Sequence, residues 1–170
     1  MPTRLRGLWR PGKPMPYAKT EGGNVSVKIM VSACLLGVPC KYNGGSNRSE
    51  ALLRLLAGHE ILPVCPEVAG GLPTPRVPAE IVGGTVINRE GQNVDAAFRA
   101  GAEASLALAQ REKPELIILQ SRSPSCGVRE IYDGTFSGKR IAGQGIFAAL
   151  ACAAGFAVKD VEEVLREGLS

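Results

Sequence analysis

Apolar and polar positions fall into blocks along the chain. Three short runs are apolar almost without interruption: "VKIMVSAC" (27–34), "EILPVCPE" (60–67) and "ELIILQ" (115–120). Continuous runs of this length, rich in Ile, Val and Leu, predict strands buried on both faces. Between them the spacing turns helical. "NRSEALLRLLAG" (47–58) predicts a helix with Leu52, Leu53, Leu55 and Leu56 on one face, Ser49 as its cap and Gly58 as its stop. Residues 93–113 predict the longest helix, dominated by Ala and Leu, capped by Asn93 or Asp95 and ended with the help of Pro114. A small-residue helix follows at 145–155, then a short strand in "FAVKD" and a closing amphipathic helix in "VEEVLREG". "VAGGLPTPRVPAE" reads as a Gly- and Pro-dense loop. Residues 81–94 read as a hairpin or ribbon, and "GVREIYDGTFSGKRIAGQ" as a polar excursion turning at "YDG". Strands alternating with helices predict one α/β domain: an open, mostly parallel sheet with flanking helices and a ligand edge at the strands' C-terminal ends.

Composition narrows the function classes. With 170 residues and 45% hydrophobic positions, the chain suits one domain with a core of its own. Residues 1–27 differ from the rest. They are rich in Pro, Gly and Arg, lack periodicity, and place Arg4, Arg6, Arg10, Lys13 and Lys19 against a single acid, Glu21. They read as an N-terminal extension, disordered or an overlong start, ahead of a folded domain at 28–170. Outside them no basic stripe is visible, and aromatic residues make up only 5%, so a nucleic-acid partner is not expected. No stretch approaches the ~18 apolar residues that span a bilayer. Five cysteines, an odd number, argue against a disulfide framework, and no secretory leader is visible. A cytoplasmic setting is expected, where cysteine clusters more often bind metal or do chemistry. Nothing in the pattern selects an oligomeric state.

The cysteine positions then become informative. Cys34 ends the first strand, Cys65 ends the second, and Cys126 follows the third after a short loop. If those strands are neighbours, the three thiols converge on one edge. Three thiolates can hold zinc or an iron–sulfur cluster with one coordination position open. The bland alternative is three small buried hydrophobes. Three thiols in Gly- and Pro-rich loops favour a site. Cys40 is six residues past Cys34, which is not C-x-x-C; it reads as a supporting thiol or a replacement ligand. Cys152 reads as a helix-packing residue.

The surrounding polar residues supply candidate chemistry. Glu67, two residues after Cys65, reads as a general acid or base, against the alternative of a loop carboxylate paired with Arg76. Ser123 and Ser125 flank Pro124; a hydroxyl there positions water or substrate, or simply forms a turn. Arg76 can orient a planar substrate, and Asn43, Lys41, Arg48 and Asp133 are further pocket candidates. His59, the only histidine, reads as a satisfied surface residue. Neither Cys34 nor Cys126 has the Cys-x5-Arg spacing of a phosphatase loop, and no Walker or dinucleotide fingerprint occurs.

Four motifs, "VSACLLGVPCKYNGG", "CPEVAGGLPTPRVPAEI", "SRSPSCG" and "IYDGTFSGKRIAGQG", occur in this order. Together they resemble the thiouracil desulfidase-like family of prokaryotic proteins, over about residues 28–164. The resemblance implies a Rossmann-like α/β domain with a [4Fe–4S] cluster held by Cys34, Cys65 and Cys126. It implies a catalytic acid at Glu67 and a catalytic serine at Ser123; beside them Arg76 and Asn43 are expected toward the substrate from their own chemistry. The implied reaction turns C=S into C=O in a thiolated pyrimidine, with water as oxygen donor, sulfide released and no net redox change. The substrate is then a small thiolated base. A non-catalytic iron–sulfur or zinc protein, acting as sulfide carrier or redox sensor, is the competing expectation.

Overall fold

The computed structural model describes residues 26–170, so the extension expected at 1–27 lies outside the described residues apart from its last two. The three apolar runs form parallel strands: β1 (Lys28–Ser32), β2 (Glu60–Val64) and β5 (Leu116–Leu119). A fourth, β8 (Val158–Asp160), completes a sheet in the order β2-β1-β5-β8, parallel throughout. The three strands that lead to Cys34, Cys65 and Cys126 are therefore neighbours, as convergence requires. Chain order reverses between β1 and β5, and a doubly wound sheet opens its ligand crevice at such a switch point.

Alternating strand residues point to opposite faces, which makes two cores. On one face Met30, Leu62, Ile117 and Leu119 pack with α3 (Asp95–Glu112) and α4 (Ile146–Ala153) through Ala102, Ala109, Phe147 and Ala151. On the other, Ile29, Val31, Ile61 and Ile118 pack with α1 (Glu50–Leu56) and α5 (Val161–Glu167) through Leu52, Leu56, Val161 and Val164. Ser49 caps α1 by accepting the Leu52 N–H at 3.2 Å, and Gly58 at φ +86° turns the chain after it. Leu55 departs from expectation. It is 37% exposed, because two core positions one turn apart, Leu52 and Leu56, already fill the short helix's buried stripe.

The capping of α3 also differs. Val94 occupies the N-cap without a side-chain bond. Asn93 instead accepts the Asp95 N–H, while Asp95 accepts the N–H of Val86 and pairs with Arg99. The ribbon expected at 81–94 is β3 (Ala79–Val82) against β4 (Thr85–Asn88), turning through Gly83 and Gly84, both at positive φ. The excursion after Cys126 contains a second antiparallel ribbon, β6 (Glu130–Tyr132) with β7 (Arg140–Ala142).

The "PEVA" of the Gly/Pro loop forms a one-turn helix, α2 (Pro66–Ala69), with Pro at its first position, where its missing N–H is harmless. It packs on α3 backbone to backbone. A Cβ on Gly101 would stand 1.8 Å from the Pro66 carbonyl oxygen, and one on Gly70 would stand 2.0 Å from that of Ala97. Gly101→Ala is therefore expected to destabilise the fold by ~1–3 kcal/mol, read as a lower denaturant midpoint. Because α2 carries Glu67, activity should fall as well; an unchanged midpoint would show that the two helices can part freely.

Candidate active site

A cleft of about 440 Å³ opens at the C-terminal ends of β1, β2 and β5. Cys34, Cys65 and Cys126 all line it, each delivered by a different segment. Cys34 sits in a 3-10 turn, Ala33–Leu36, directly after β1. Cys65 is the N-cap residue between β2 and α2. Cys126 lies in the loop after β5, and this loop is clamped on α4: the N–H groups of Ile146 and Phe147 donate to the carbonyls of Pro124 and Ser125 at 2.9 and 3.0 Å. Gly145 makes the clamp close, since a Cβ there would stand 2.5 Å from the Ser125 carbonyl carbon.

Each sulfur has its own donors. Asn47 Nδ2 lies 3.6 Å from Cys34 Sγ, and the Leu35 N–H also points to it. Cys65 receives the Val68 N–H and the thiol of Cys40. Cys126 is reached by the Ser32 hydroxyl, while Ser125 Oγ lies 3.7 Å from its sulfur. Burial pushes the Cys34 thiol up to about 11 and raises Cys126 further, with the charges of Cys65 and Cys34 adding to the rise. Cys65 is lowered, first by the hydrogen bond from Cys40 and then by the Val68 N–H and Arg76, against its own burial. The three thiols thus sense one another across a shared space.

This donor set fits a cluster with three protein ligands. All three thiols are free, and a bound cation would deprotonate a coordinating thiol outright, against the rise that burial imposes. Hydrogen bonds to the sulfurs are what stabilise and tune iron–thiolate centres. Among the described residues, no three His, Cys, Asp or Glu side chains gather around a single-ion point. A cubane asks for something else, because its cysteines bind separate irons.

Glu67 enters the cleft from α2, its side chain 15% exposed, and its two oxygens are divided. Oε1 receives Arg76 Nε at 3.1 Å, and Oε2 receives the Ser125 hydroxyl at 2.8 Å. Ser123 Oγ accepts the backbone N–H groups of Ser125 and Cys126, both at 3.1 Å. Two accepted bonds occupy its lone pairs, so its own proton goes to Ser125 Oγ, 2.9 Å away. The hydroxyls therefore form a relay, Ser123 to Ser125 to Glu67. Ser123 also lies 3.5 Å from Glu67 Oε2, but Ser125 makes the shorter bond.

The structure redirects two residues expected to face the substrate. Arg76 lines the cleft, yet its guanidinium bonds Glu67, the Pro73 carbonyl, the Thr74 hydroxyl and the Cys40 carbonyl. With its fork so engaged it orients Glu67. Asn43 is exposed and outside the cleft lining; its Oδ1 closes a turn by accepting the Gly45 N–H. Asn47, four residues on, takes the inward position. Lys41 lines the cleft, whereas Arg48 pairs with Glu50 and Asp133 ties its own loop through Thr135. His59 accepts the Val27 N–H at the opposite end of the sheet, and Cys152 lies on α4 away from the cleft. Ser32, Asn47 and Ser125 escaped the sequence reading as sulfur or carboxylate partners. For Ser32 a signal existed: it is a buried polar residue closing an otherwise apolar run, Ile29–Val31.

Comparison with known proteins identifies the family and the fold. Residues 29–163 match the family model described as 2-thiouracil desulfurase. The uncharacterized protein YbbK of Bacillus subtilis (strain 168) is 41% identical over 146 residues, spanning 80% of this chain and 97% of that protein. A solved structure of the [4Fe–4S]-dependent thiouracil desulfidase TudS superposes with a TM-score of 0.77 at 43% identity, covering 83% of this chain and 95% of that one. Among the described residues no helix is long and apolar enough to cross a membrane.

Proposed function

The chain belongs to the 2-thiouracil desulfurase family, and from that premise we propose that it is a [4Fe–4S]-dependent, non-redox desulfidase of thiolated pyrimidines. The reaction replaces C=S by C=O, takes its oxygen from water and releases sulfide, with no change in the carbon's oxidation state. The observation that carries this reading is the convergence of three thiols from three adjacent strand ends on a cleft that also holds Glu67 and its hydroxyl relay. Cys34, Cys65 and Cys126 hold the cluster. When bound, the cluster supplies an iron without a protein ligand, a Lewis acid suited to a soft thiocarbonyl sulfur.

The chain's own groups handle position and protons. Arg76 fixes Glu67 Oε1, which leaves Oε2 as the exchangeable acceptor beside Ser125. Glu67 takes a proton from the attacking water and returns it to the ring nitrogen or the departing sulfur. The Ser125 hydroxyl holds Oε2 in place, Ser123 orients Ser125, and Ser123 also holds the Cys126 loop through two backbone N–H groups. The cleft, at about 440 Å³, has the size of a small-molecule site, which supports a single thiolated base as partner and no nucleic acid. The free cysteines support a reducing compartment, the cytoplasm. The working unit is one α/β domain at 28–170.

The deciding experiment reconstitutes the protein anaerobically with ferrous iron and sulfide, then supplies 2-thiouracil. About four irons per chain, free sulfide and an equal amount of uracil are the expected result. A cluster that forms while neither product appears would overturn the catalytic reading in favour of sulfide carriage or redox sensing.

A further inference from the structure

The cleft has a wall that none of the chemistry above uses. Phe98 and Phe147 belong to the core and Phe156 packs against it, whereas the other described aromatics, Tyr42, Tyr132 and Phe136, line the cleft. Phe136 is the unusual one. It belongs to neither core cluster, yet its backbone is held at φ +56°, a left-handed conformation that bulky residues rarely adopt. Glu80, on β3 and only 9% exposed, imposes this: its Oε1 accepts the N–H groups of Gly134 and Phe136 at 3.0 and 3.2 Å. Gly134 presses against the same strand, where a Cβ would come within 2.7 Å of the Ile81 carbonyl oxygen. The Arg89 guanidinium lies over the Phe136 ring at 5.8 Å from its centroid. A buried carboxylate, a strained backbone and a stacked arginine thus all fix one half-buried ring that contributes to no core.

We propose that Phe136 is a specificity-determining residue that stacks on the planar heteroaromatic ring of the substrate, with Glu80 as its positioning residue. The inference rests on the desulfidase reading and deepens it. It explains how a site whose reacting groups recognise only a thiocarbonyl would prefer a flat aromatic thioamide to an open-chain one. A rigid ring, already ordered before binding, offers stacking without the entropy of fixing it.

The test uses cluster-loaded protein under anaerobic conditions, with Phe136→Ala, Phe136→Leu, Phe136→Tyr and Glu80→Ala variants checked for equal iron content. Two readouts are taken: the KM and kcat for 2-thiouracil, and the calorimetric affinity for uracil, which has no sulfur to bind iron. The Ala and Leu variants are expected to lose roughly ten- to a hundredfold in kcat/KM and in uracil affinity, the loss lying mainly in KM. Leu keeps the apolar bulk but not the flat face, so it separates stacking from packing. Tyr restores near wild-type values, and Glu80→Ala shifts KM in the same direction. Ala and Leu variants with the wild-type KM and uracil affinity would overturn the proposal. If the wild type binds uracil but releases no sulfide, the desulfidase reading fails while the uracil affinities still decide the stacking. A wild type that neither binds uracil nor acts on 2-thiouracil overturns both.

Discussion

Cys126→Ala protein is expected to leave anaerobic reconstitution with most of its iron missing and to release sulfide from 2-thiouracil at least about a thousandfold more slowly than the wild type. The reason lies in the site's construction. Cys126 is one of the three thiols that reach the cleft from the ends of β1, β2 and β5, and it has the Ser32 hydroxyl at its sulfur. The competing account, a small hydrophobe filling a gap, makes a different prediction. Trimming a 5%-exposed thiol to a methyl would then lower stability slightly and leave iron and turnover alone. Iron content, the visible absorption of the cluster and the denaturant midpoint, measured on one preparation, separate the two. Cys152→Ala, on α4 outside the cleft, should match the wild type in all three. Full iron in the Cys126 variant would remove it from the ligand set.

Glu67→Gln should keep the cluster and lose about a hundred- to ten-thousandfold in kcat. Glutamine has the same shape and can still accept from Arg76, so the segment around Cys65 has no reason to move. What it lacks is a proton acceptor at the second position, where Ser125 now donates at 2.8 Å. Arg76→Ala should have a smaller effect of the same kind, because it acts through Glu67 rather than on substrate. The kinetic constants and the iron content together check this. A Glu67→Gln enzyme within about tenfold of the wild type would assign the proton transfer to another group.

Much of the frame was legible because burial on both faces leaves an unambiguous mark. A parallel strand covered on both faces needs a continuous apolar run, and "VKIMV", "EILPV" and "LIIL" have no other good use. The cysteines followed, since each sits just past such a run. Harder to read were elements too short for a period to show. One turn of helix at "PEVA" has no repeat, and the three-residue strands β6 and β7 sit among turn-forming residues. Side-chain choice within loops was harder still. Asn43 and Asn47 are the same residue type four positions apart. Only the path of the chain after the Ala33–Leu36 turn sends Asn47 to Cys34 and leaves Asn43 at the surface. The Arg76 pair with Glu67, nine positions away, was open to the sequence as an alternative, but the bond to the Cys40 carbonyl, 36 positions away, was not.

The sequence by itself determined the alternation of strands and helices, the placing of a thiol after each of three strands, and the presence of an acid and serines near them. Those features are local: hydrophobic period and proximity along the chain decide them. Tertiary structure alone decided how the side chains face one another. It set the division of Glu67 between Arg76 and Ser125, the donors at each sulfur, and the ring of Phe136 held up by Glu80. These depend on how closely separate segments approach. That approach is set by backbone contacts such as Gly101 against Pro66 and Gly145 against Ser125, which become visible only once the chain is packed.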